Sequence, residues 1–318
     1  MTRVAAVDCG TNSIRLLVAD VDTDDTEGNA AGSLTEVDRR MEVVRLGEGV
    51  DRTGRLAPAA LARTFAACDT YAAVVRDTGA ERVRFVATSA SRDVENRDEF
   101  VAGVKDRFGV GPEVVSGDEE AALSFAGATR ELASSDLPKP FLVLDIGGGS
   151  TELVLGGTAV EAARSVDVGC VRMTERHLHD DPPTAAQVAA ARDDIDAAIT
   201  LAGLTVPLDR AATLVGLAGS VTTVAAMVLD LPAYDSSRIH HARLHASDVH
   251  RVTASLLAMT HAQRAALPFM HPGRVDVIGA GAMVLSAVME RVGADSVVVS
   301  EHDILDGIAW SMVPAAAR

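Results

Sequence analysis

Val4-Ala-Ala-Val-Asp8-Cys-Gly-Thr-Asn-Ser13 and Phe141-Leu-Val-Leu-Asp145-Ile-Gly-Gly-Gly-Ser-Thr-Glu152 follow one pattern twice. In each, an apolar run ends on aspartate. Glycine and a cluster of hydroxyl or amide side chains follow, and strand-like sequence then resumes as Ile14-Arg-Leu-Leu-Val-Ala19 or Leu153-Val-Leu155. That order reads as strand, turn, strand. A dinucleotide-binding fingerprint or a P-loop needs a helix directly after its glycines, and the chain has no Gly-Lys-Ser/Thr, so neither fits. One such segment could equally be a tight hairpin turn, whereas two point to paired phosphate grips.

Glycine has no Cβ, adopts positive φ, and lets backbone N–H groups approach an anion closely. Gly10, Thr11, Asn12 and Ser13 are therefore candidate phosphate-binding residues in the first copy, and Gly147, Gly148, Gly149, Ser150 and Thr151 in the second. Asp8, Asp145 and Glu152 are hard oxygen ligands suited to Mg2+, with Mn2+ as an alternative, or to a metal-bound water.

Around these segments the chain has 318 residues, 48% hydrophobic and 23% charged, as expected for a globular protein of two domains. No charged stretch followed by an apolar one opens it, so a secretory signal is not expected and a cytoplasmic location is. The uncharged stretch Ala211–Leu229 is interrupted by Gly216, Gly219, Ser220, Thr222 and Thr223, and reads as buried strand, glycine turn and buried helix rather than a membrane span. Gly219 and Ser220 join the candidate phosphate-binding residues. A net charge of −16 argues against nucleic acid and anionic membranes as partners, and confines any polyanion to places where arginines gather. Cys9, Cys68 and Cys170 lack metal-ligand spacing and read as free thiols.

Strands near 3–8, 14–20 and 35–45 precede a helix near 58–78, a strand at 82–87 and a helix near 97–108. Acidic Asp22–Gly32 reads as a hairpin loop and Glu131–Pro140 as the interdomain connection. Helices near 168–179, 184–202, 219–229, 247–258 and 276–291 accompany strands near 213–217 and 295–300, and a closing helix starts at about 303. Two similar α/β halves enclosing a cleft are expected.

Asp8-Cys-Gly-Thr-Asn-Ser-Ile-Arg15, Thr88-Ser-Ala-Ser-Arg92, Ser116-Gly-Asp-Glu-Glu-Ala121 and Asp145-Ile-Gly-Gly-Gly-Ser-Thr-Glu152 resemble, in order and spacing, motifs of the exopolyphosphatase/guanosine pentaphosphate phosphatase (Ppx/GppA) family in its short two-domain form. Weaker matches at Gly169–Arg172, Gly216–Ser220 and Arg274–Gly281 extend the resemblance over nearly the whole chain. It implies an α/β, duplicated actin-like, sugar kinase and Hsp70-like (ribonuclease H-like) fold, its two domains flanking a catalytic cleft. The domains would be residues 1–130 and 131–302, with the closing helix, 303–318, packing back on the first. Phosphoanhydride hydrolysis is implied as well, with inorganic polyphosphate or (p)ppGpp as partner and a homodimer as assembly.

Asp118-Glu119-Glu120 at a helix start is explained by the helix dipole alone. By resemblance, Glu120 is the base that activates water, Glu119 is the competing assignment, and Arg92 and Arg15 clamp phosphate oxygens. The runner-up readings are a pppGpp 5′-phosphohydrolase, a non-catalytic alarmone sensor and a kinase of the same fold. Cys9 and Cys170 each fit the C-x5-R spacing of cysteine-dependent phosphatases. Yet Cys9 adjoins Asp8 and leads into a strand, and no glycine follows Cys170 to shape a loop, so a cysteine nucleophile is not expected. Histidines at 240, 241, 245, 250, 261 and 271 match no zinc pattern and read as solvated or locally hydrogen-bonded. With Arg238, Arg243, Arg251 and Arg264 they could alternatively line a polyanion path. The final motif, Val299-Ser-Glu-His-Asp-Ile-Leu-Asp-Gly307, departs from the glycine and arginine that many relatives carry near Asp303 and Leu305, so an expected cationic contact is missing. The extra C-terminal domains of longer relatives are not expected here, and short polyphosphate is the expected preference.

Overall fold

The computed structural model describes residues 1–22, 32–92, 94–132 and 135–313. Most of the predicted Asp22–Gly32 hairpin loop lies outside the described residues, as do residues 133–134 of the predicted connection and 314–318 of the predicted closing helix. Two compact units make up the chain: residues 1–134 together with 303–318, and residues 135–302.

The first unit is a five-stranded mixed sheet. β1 (Thr2–Cys9), β2 (Ser13–Asp22) and β3 (Ser33–Val43) form an antiparallel meander, to which β4 (Arg82–Ala87) and the short β5 (Glu113–Val114) add in parallel, giving the order β3-β2-β1-β4-β5. Because side chains alternate across a strand, β1 and β2 must be apolar on both faces if both are covered. Ala5, Val7, Cys9, Ile14, Leu16 and Val18 enter one core, with Leu61, Tyr71 and Val75 of α2 (Pro58–Thr78) and Phe100 and Val104 of α4 (Arg97–Phe108). Val4, Ala6, Leu17, Ala19 and Val21 enter the other, with Leu123 of α5 (Gly117–Thr129) and Ile304, Leu305 and Ile308 of the closing helix (Ile304–Ser311). The short helices α1 (Val50–Thr53) and α3 (Ser89–Arg92) follow β3 and β4. Asp8 and Arg15 share the parity of Val4, Ala6 and Leu17, so they belong to the face that carries the closing helix.

The second unit repeats the plan. β6 (Phe141–Ile146), β7 (Thr151–Gly156) and β8 (Val160–Val166) form the meander. β9 (Thr213–Leu217) pairs in parallel with β6, and β11 (Ser296–Val299) pairs in parallel with β9. β10 (Arg243–His245) adds antiparallel at the edge, so the order is β10-β11-β9-β6-β7-β8. Read from β8, the meander and its two parallel additions follow the order of the first sheet. This is the duplicated α/β fold expected from the repeated segments. One large core joins β6, β7, β9 and β11 to α6 (Cys170–His177), α7 (Ala185–Gly203), α8 (Ala218–Val228), α10 (Ala246–Ala258) and α12 (Ile278–Val292), while α9 (Ser236–Ile239) and α11 (His261–Ala265) are single turns. β8, β10 and the short helices carry too few apolar residues for their periodicity to announce them in sequence.

Among the described residues, no helix is long and apolar enough to cross a membrane.

Candidate active site

In the first unit, candidate residues collect at the carboxyl ends of the parallel strands β1, β4 and β5, the edge where α/β sheets bind ligands. The β1–β2 turn closes with Gly10 N–H donating to the Ser13 carbonyl (3.0 Å). Gly47 N–H donates to the Thr11 carbonyl (2.8 Å), and Val44 and Arg45 N–H groups donate to the Asn12 carbonyl (3.1 and 2.8 Å). The β1–β2 turn is thus held from behind by the loop after β3. In a planar trans peptide C=O and N–H point in opposite directions, so tying back the Thr11 carbonyl turns the Asn12 N–H away from that loop. Alongside, the Thr11 hydroxyl shares a 2.8 Å hydrogen bond with Ser89 of α3, which joins the turn after β1 to the turn after β4.

α3 ends on Arg92, whose Nη1 donates to Glu120 Oε2 at 2.7 Å. Glu120 lies in the first turn of α5, where the Ser116 side chain caps Glu119 N–H. The two glutamates that sequence reasoning left in competition differ sharply. The Glu120 side chain is 10% exposed and faces Arg92, whereas that of Glu119 is 48% exposed and pairs with Arg84, which also holds Glu113. Helical geometry explains the split, because consecutive positions are about 100° apart and only one can face inward.

Asp8 and Arg15, expected to serve metal and phosphate respectively, are paired with each other. They stand directly opposite in the β1–β2 register, and Arg15 donates to Asp8 Oδ2 through Nε (3.0 Å) and Nη2 (2.6 Å). Arg15 Nη1 also donates to Asp303 Oδ2. Asp303 caps the closing helix, accepting Leu305 N–H at 3.0 Å, while its own N–H donates to Asp306 (3.0 Å) in a capping box. Burial pushes the Asp8 carboxyl above its usual range, against the pull of Arg15. Burial opposes ionisation of Asp303 too, but the Arg15 charge and hydrogen bond, aided by Leu305 N–H, hold it below that range. Sequence reasoning noted position 303 only for the cation it lacks. The available signal was Asp303-Ile-Leu-Asp306, the spacing of a capping box at a helix start.

In the second unit the β6–β7 turn closes in the same way, Gly147 N–H to the Ser150 carbonyl (3.0 Å). Its carbonyls are tied to the first turn of α6: Cys170 N–H donates to Gly147 (3.0 Å), Val171 and Arg172 N–H to Gly148 (2.9 and 3.1 Å), and Arg172 Nε to Gly149 (2.8 Å). Peptide planarity then directs the N–H groups of Gly148, Gly149 and Ser150 away from α6, as a row of donors suited to an anion. Gly169 permits this approach, since a Cβ there would run into the backbone of Gly148 and Gly149. Thr151, expected to donate to phosphate, instead gives its hydroxyl proton to the Val168 carbonyl at 2.5 Å.

Asp145 and Glu152 are opposite each other in the β6–β7 register and both are buried, so their carboxylates share one face of the sheet. Ser165 donates to Glu152 Oε1 at 2.7 Å. Two hard carboxylates side by side at a strand end suit Mg2+ or Mn2+, and the donor set fits the expected cofactor. The weaker motifs converge on the same unit. Ala218, the first residue of α8 directly after β9, has a left-handed φ of 64°, a conformation an L-residue adopts at a cost of about 1–2 kcal/mol and one that clusters at functional sites. Ser220 packs against Gly281 beside Cys170, and the Arg274 guanidinium lies against Gly219 and donates to Thr223 (3.1 Å).

Other expected groups lie elsewhere. All three cysteines are buried and free, and burial pushes the Cys9 thiol well above its ordinary value and raises Cys170. His250 meets Ser286 (2.7 Å), His261 meets Asp276 (3.2 Å), His271 accepts Gly273 N–H (3.1 Å), and His240 stacks on His241 with ring centres 3.7 Å apart. Arg264 is buried and bound to the carbonyls of Val275 and Met259 and to Asp181, which takes it off any polyanion path.

The family model for the Ppx/GppA phosphatase family matches residues 27–316. "Exopolyphosphatase 2" of Mycobacterium tuberculosis is 53% identical over 321 residues, covering 98% of this chain and 99% of that protein. The crystal structure of an exopolyphosphatase-like protein superposes with a TM-score of 0.91 at 45% identity, covering 96% of each chain. The Aquifex aeolicus family member superposes with a TM-score of 0.77 at 28% identity, covering 98% of this chain and 97% of that one.

Proposed function

The chain belongs to the Ppx/GppA phosphatase family, and from that premise we propose that this phosphoanhydride hydrolase is an exopolyphosphatase that removes the terminal phosphate of inorganic polyphosphate. The observation that carries the reading is the β6–β7 turn. Three consecutive carbonyls tied to α6 commit the amides of Gly148, Gly149 and Ser150 to an anion, next in sequence to the Asp145/Glu152 carboxylate pair.

In this reading Asp145 and Glu152 hold Mg2+, which when bound offsets the charge of the transferring phosphate. The Gly148, Gly149 and Ser150 amides position its oxygens and, being fixed beforehand, stabilise charge as it develops. Glu120 is the base that takes a proton from water. Arg92 Nη1 donates to its Oε2, and that hydrogen bond aims the carboxylate. Water attacks the terminal phosphorus, the P–O bond to the chain breaks, and orthophosphate and a shortened chain result. Glu119 takes no part, being exposed and paired with Arg84.

The test compares phosphate release from tripolyphosphate, long polyphosphate, pppGpp and ATP with Mg2+, including ADP plus polyphosphate to detect a kinase. Release from polyphosphate that exceeds release from pppGpp and ATP is the expected result. Dominant release from pppGpp would install the pppGpp phosphohydrolase in its place, and no release from any substrate would favour an alarmone sensor. Faster turnover on very long chains than on tripolyphosphate would overturn the expected preference for short chains.

A further inference from the structure

We propose that Asp303 is an electrostatic brake on phosphate binding at the first hairpin: a carboxylate that holds the Arg15 charge and sets how tightly this site grips a polyphosphate. The inference rests on the reading that polyphosphate is the substrate class.

Its geometry begins at a helix crossing. Gly127 of α5 lies so close to the Asp303 carbonyl, and Gly307 of the closing helix so close to the Leu123 carbonyl, that a Cβ at either glycine would run into backbone. This crossing fixes the start of the closing helix and with it Asp303, which is 4% exposed. One carboxylate oxygen caps the helix through Leu305 N–H and the other takes Arg15 Nη1. The cap could have been made by serine, threonine or asparagine without a charge. The charge acts on Arg15.

Arg15 is thereby held by two carboxylates, Asp8 and Asp303, so one guanidinium is shared between two acids at the hairpin that carries the Gly10–Ser13 turn. A guanidinium has five N–H donors, of which three go to the two aspartates, so donors remain for a ligand. Arg15 is also 21% exposed at its side chain, against 7% and 5% for Asp8 and Asp303. A phosphate oxygen can therefore reach it, but meets a cation already shared between two acids. Asp8 stands across the β1–β2 ladder and is part of the hairpin itself, whereas Asp303 arrives from 288 positions away and is the member whose removal leaves the hairpin intact.

The experiment measures binding of inorganic tripolyphosphate with Mg2+ by calorimetry in the Glu120→Gln protein, where hydrolysis does not interfere. Asp303→Asn and Asp303→Ser, each still able to cap the helix, are added to that background. Both are expected to lower Kd roughly tenfold, the scale of one charged hydrogen bond released to the ligand. Adding Arg15→Met to Asp303→Ser should erase the gain, and in the otherwise native enzyme the Asp303 variants should lower KM more than they change kcat. Unchanged or weaker binding in both folded variants, or a gain that survives Arg15→Met, overturns the proposal, as does absence of tripolyphosphate binding in every protein. Failure of the polyphosphatase reading is separable: it would appear as tripolyphosphate bound by the native protein but not hydrolysed.

Discussion

The two hairpins hold the same aspartate and differ in what faces it. Seven residues beyond Asp8, directly across the β1–β2 ladder, stands Arg15; seven beyond Asp145, directly across β6–β7, stands Glu152. In one hairpin the acid faces a guanidinium across the ladder. In the other it faces a second acid, at an expected Cβ separation of about 4.5–5.5 Å. One scaffold occurs twice, and a single cross-strand position separates a hairpin whose acid meets an arginine from the one proposed to hold a cation.

If the hairpins divide labour in this way, the sharpest test leaves both untouched. Glu120→Gln removes the proposed base while keeping its volume and its hydrogen bond to Arg92, and kcat for phosphate release should fall about 10²-fold to 10⁴-fold. Mg2+ should still raise the melting temperature of this variant, because Asp145 and Glu152 remain. Activity within a few-fold of native would remove Glu120 from the chemistry.

Next in size is the second hairpin. Glu152→Gln keeps the Ser165 hydrogen bond but halves the charge of the carboxylate pair, and activity should fall about 10²-fold to 10³-fold. The Mg2+-dependent rise in melting temperature should shrink with it. A variant that loses activity but keeps the full Mg2+ shift would place the metal elsewhere and break the comparison.

The first hairpin should respond in stability. Arg15→Met leaves Asp8 and Asp303 buried without their shared cation, and urea unfolding should show a loss of about 3 kcal/mol. The two acids have opposite pH signatures. Asp303, held low, contributes stability that is present above its unfolded value of 3.8 and lost as pH falls through its lower folded value. Asp8, pushed high by burial, has a contribution that is fully present below 3.8 and lost as pH rises through its higher folded value. In Asp303→Asn the loss of stability below pH 3.8 should be shallower than in the native protein; an unchanged acid limb would show that Asp303 is not ionised by Arg15.

How much of this was written in the sequence depends on distance along the chain. Asp8 and Arg15, or Asp145 and Glu152, are read from one short segment, and strand alternation places each pair on one face once the turn is recognised. Glu120 and Arg92 were legible only through resemblance, because an acid in a first helical turn has an ordinary explanation in the dipole. Their 2.7 Å contact joins two turns at neighbouring strand ends. Asp303 was illegible as a partner of Arg15: nothing local in either segment encodes a crossing set by Gly127 and Gly307. Thr151 failed differently, since its hydroxyl satisfies a buried carbonyl, a use that spacing does not distinguish from phosphate binding.

The smallest effect expected separates the hairpins from the cysteine chemistry that their spacing imitates. Cys9 and Arg15 have the C-x5-R spacing, yet a nucleophilic thiol requires a depressed pKa and access. Cys9 is completely buried, and its thiol is pushed well above the ordinary range by desolvation, with Cys68 and Asp8 adding to the rise. Cys9→Ser should therefore keep kcat within about twofold, since no covalent step passes through it. The new hydroxyl would be buried among Val7, Ile14 and Ala87, so a loss of about 1–2 kcal/mol in urea unfolding should accompany the intact activity. If Cys9→Ser abolished phosphate release while remaining folded, and Glu120→Gln did not, the first hairpin would have to be read as a nucleophile loop and the contrast with the second would lose its basis.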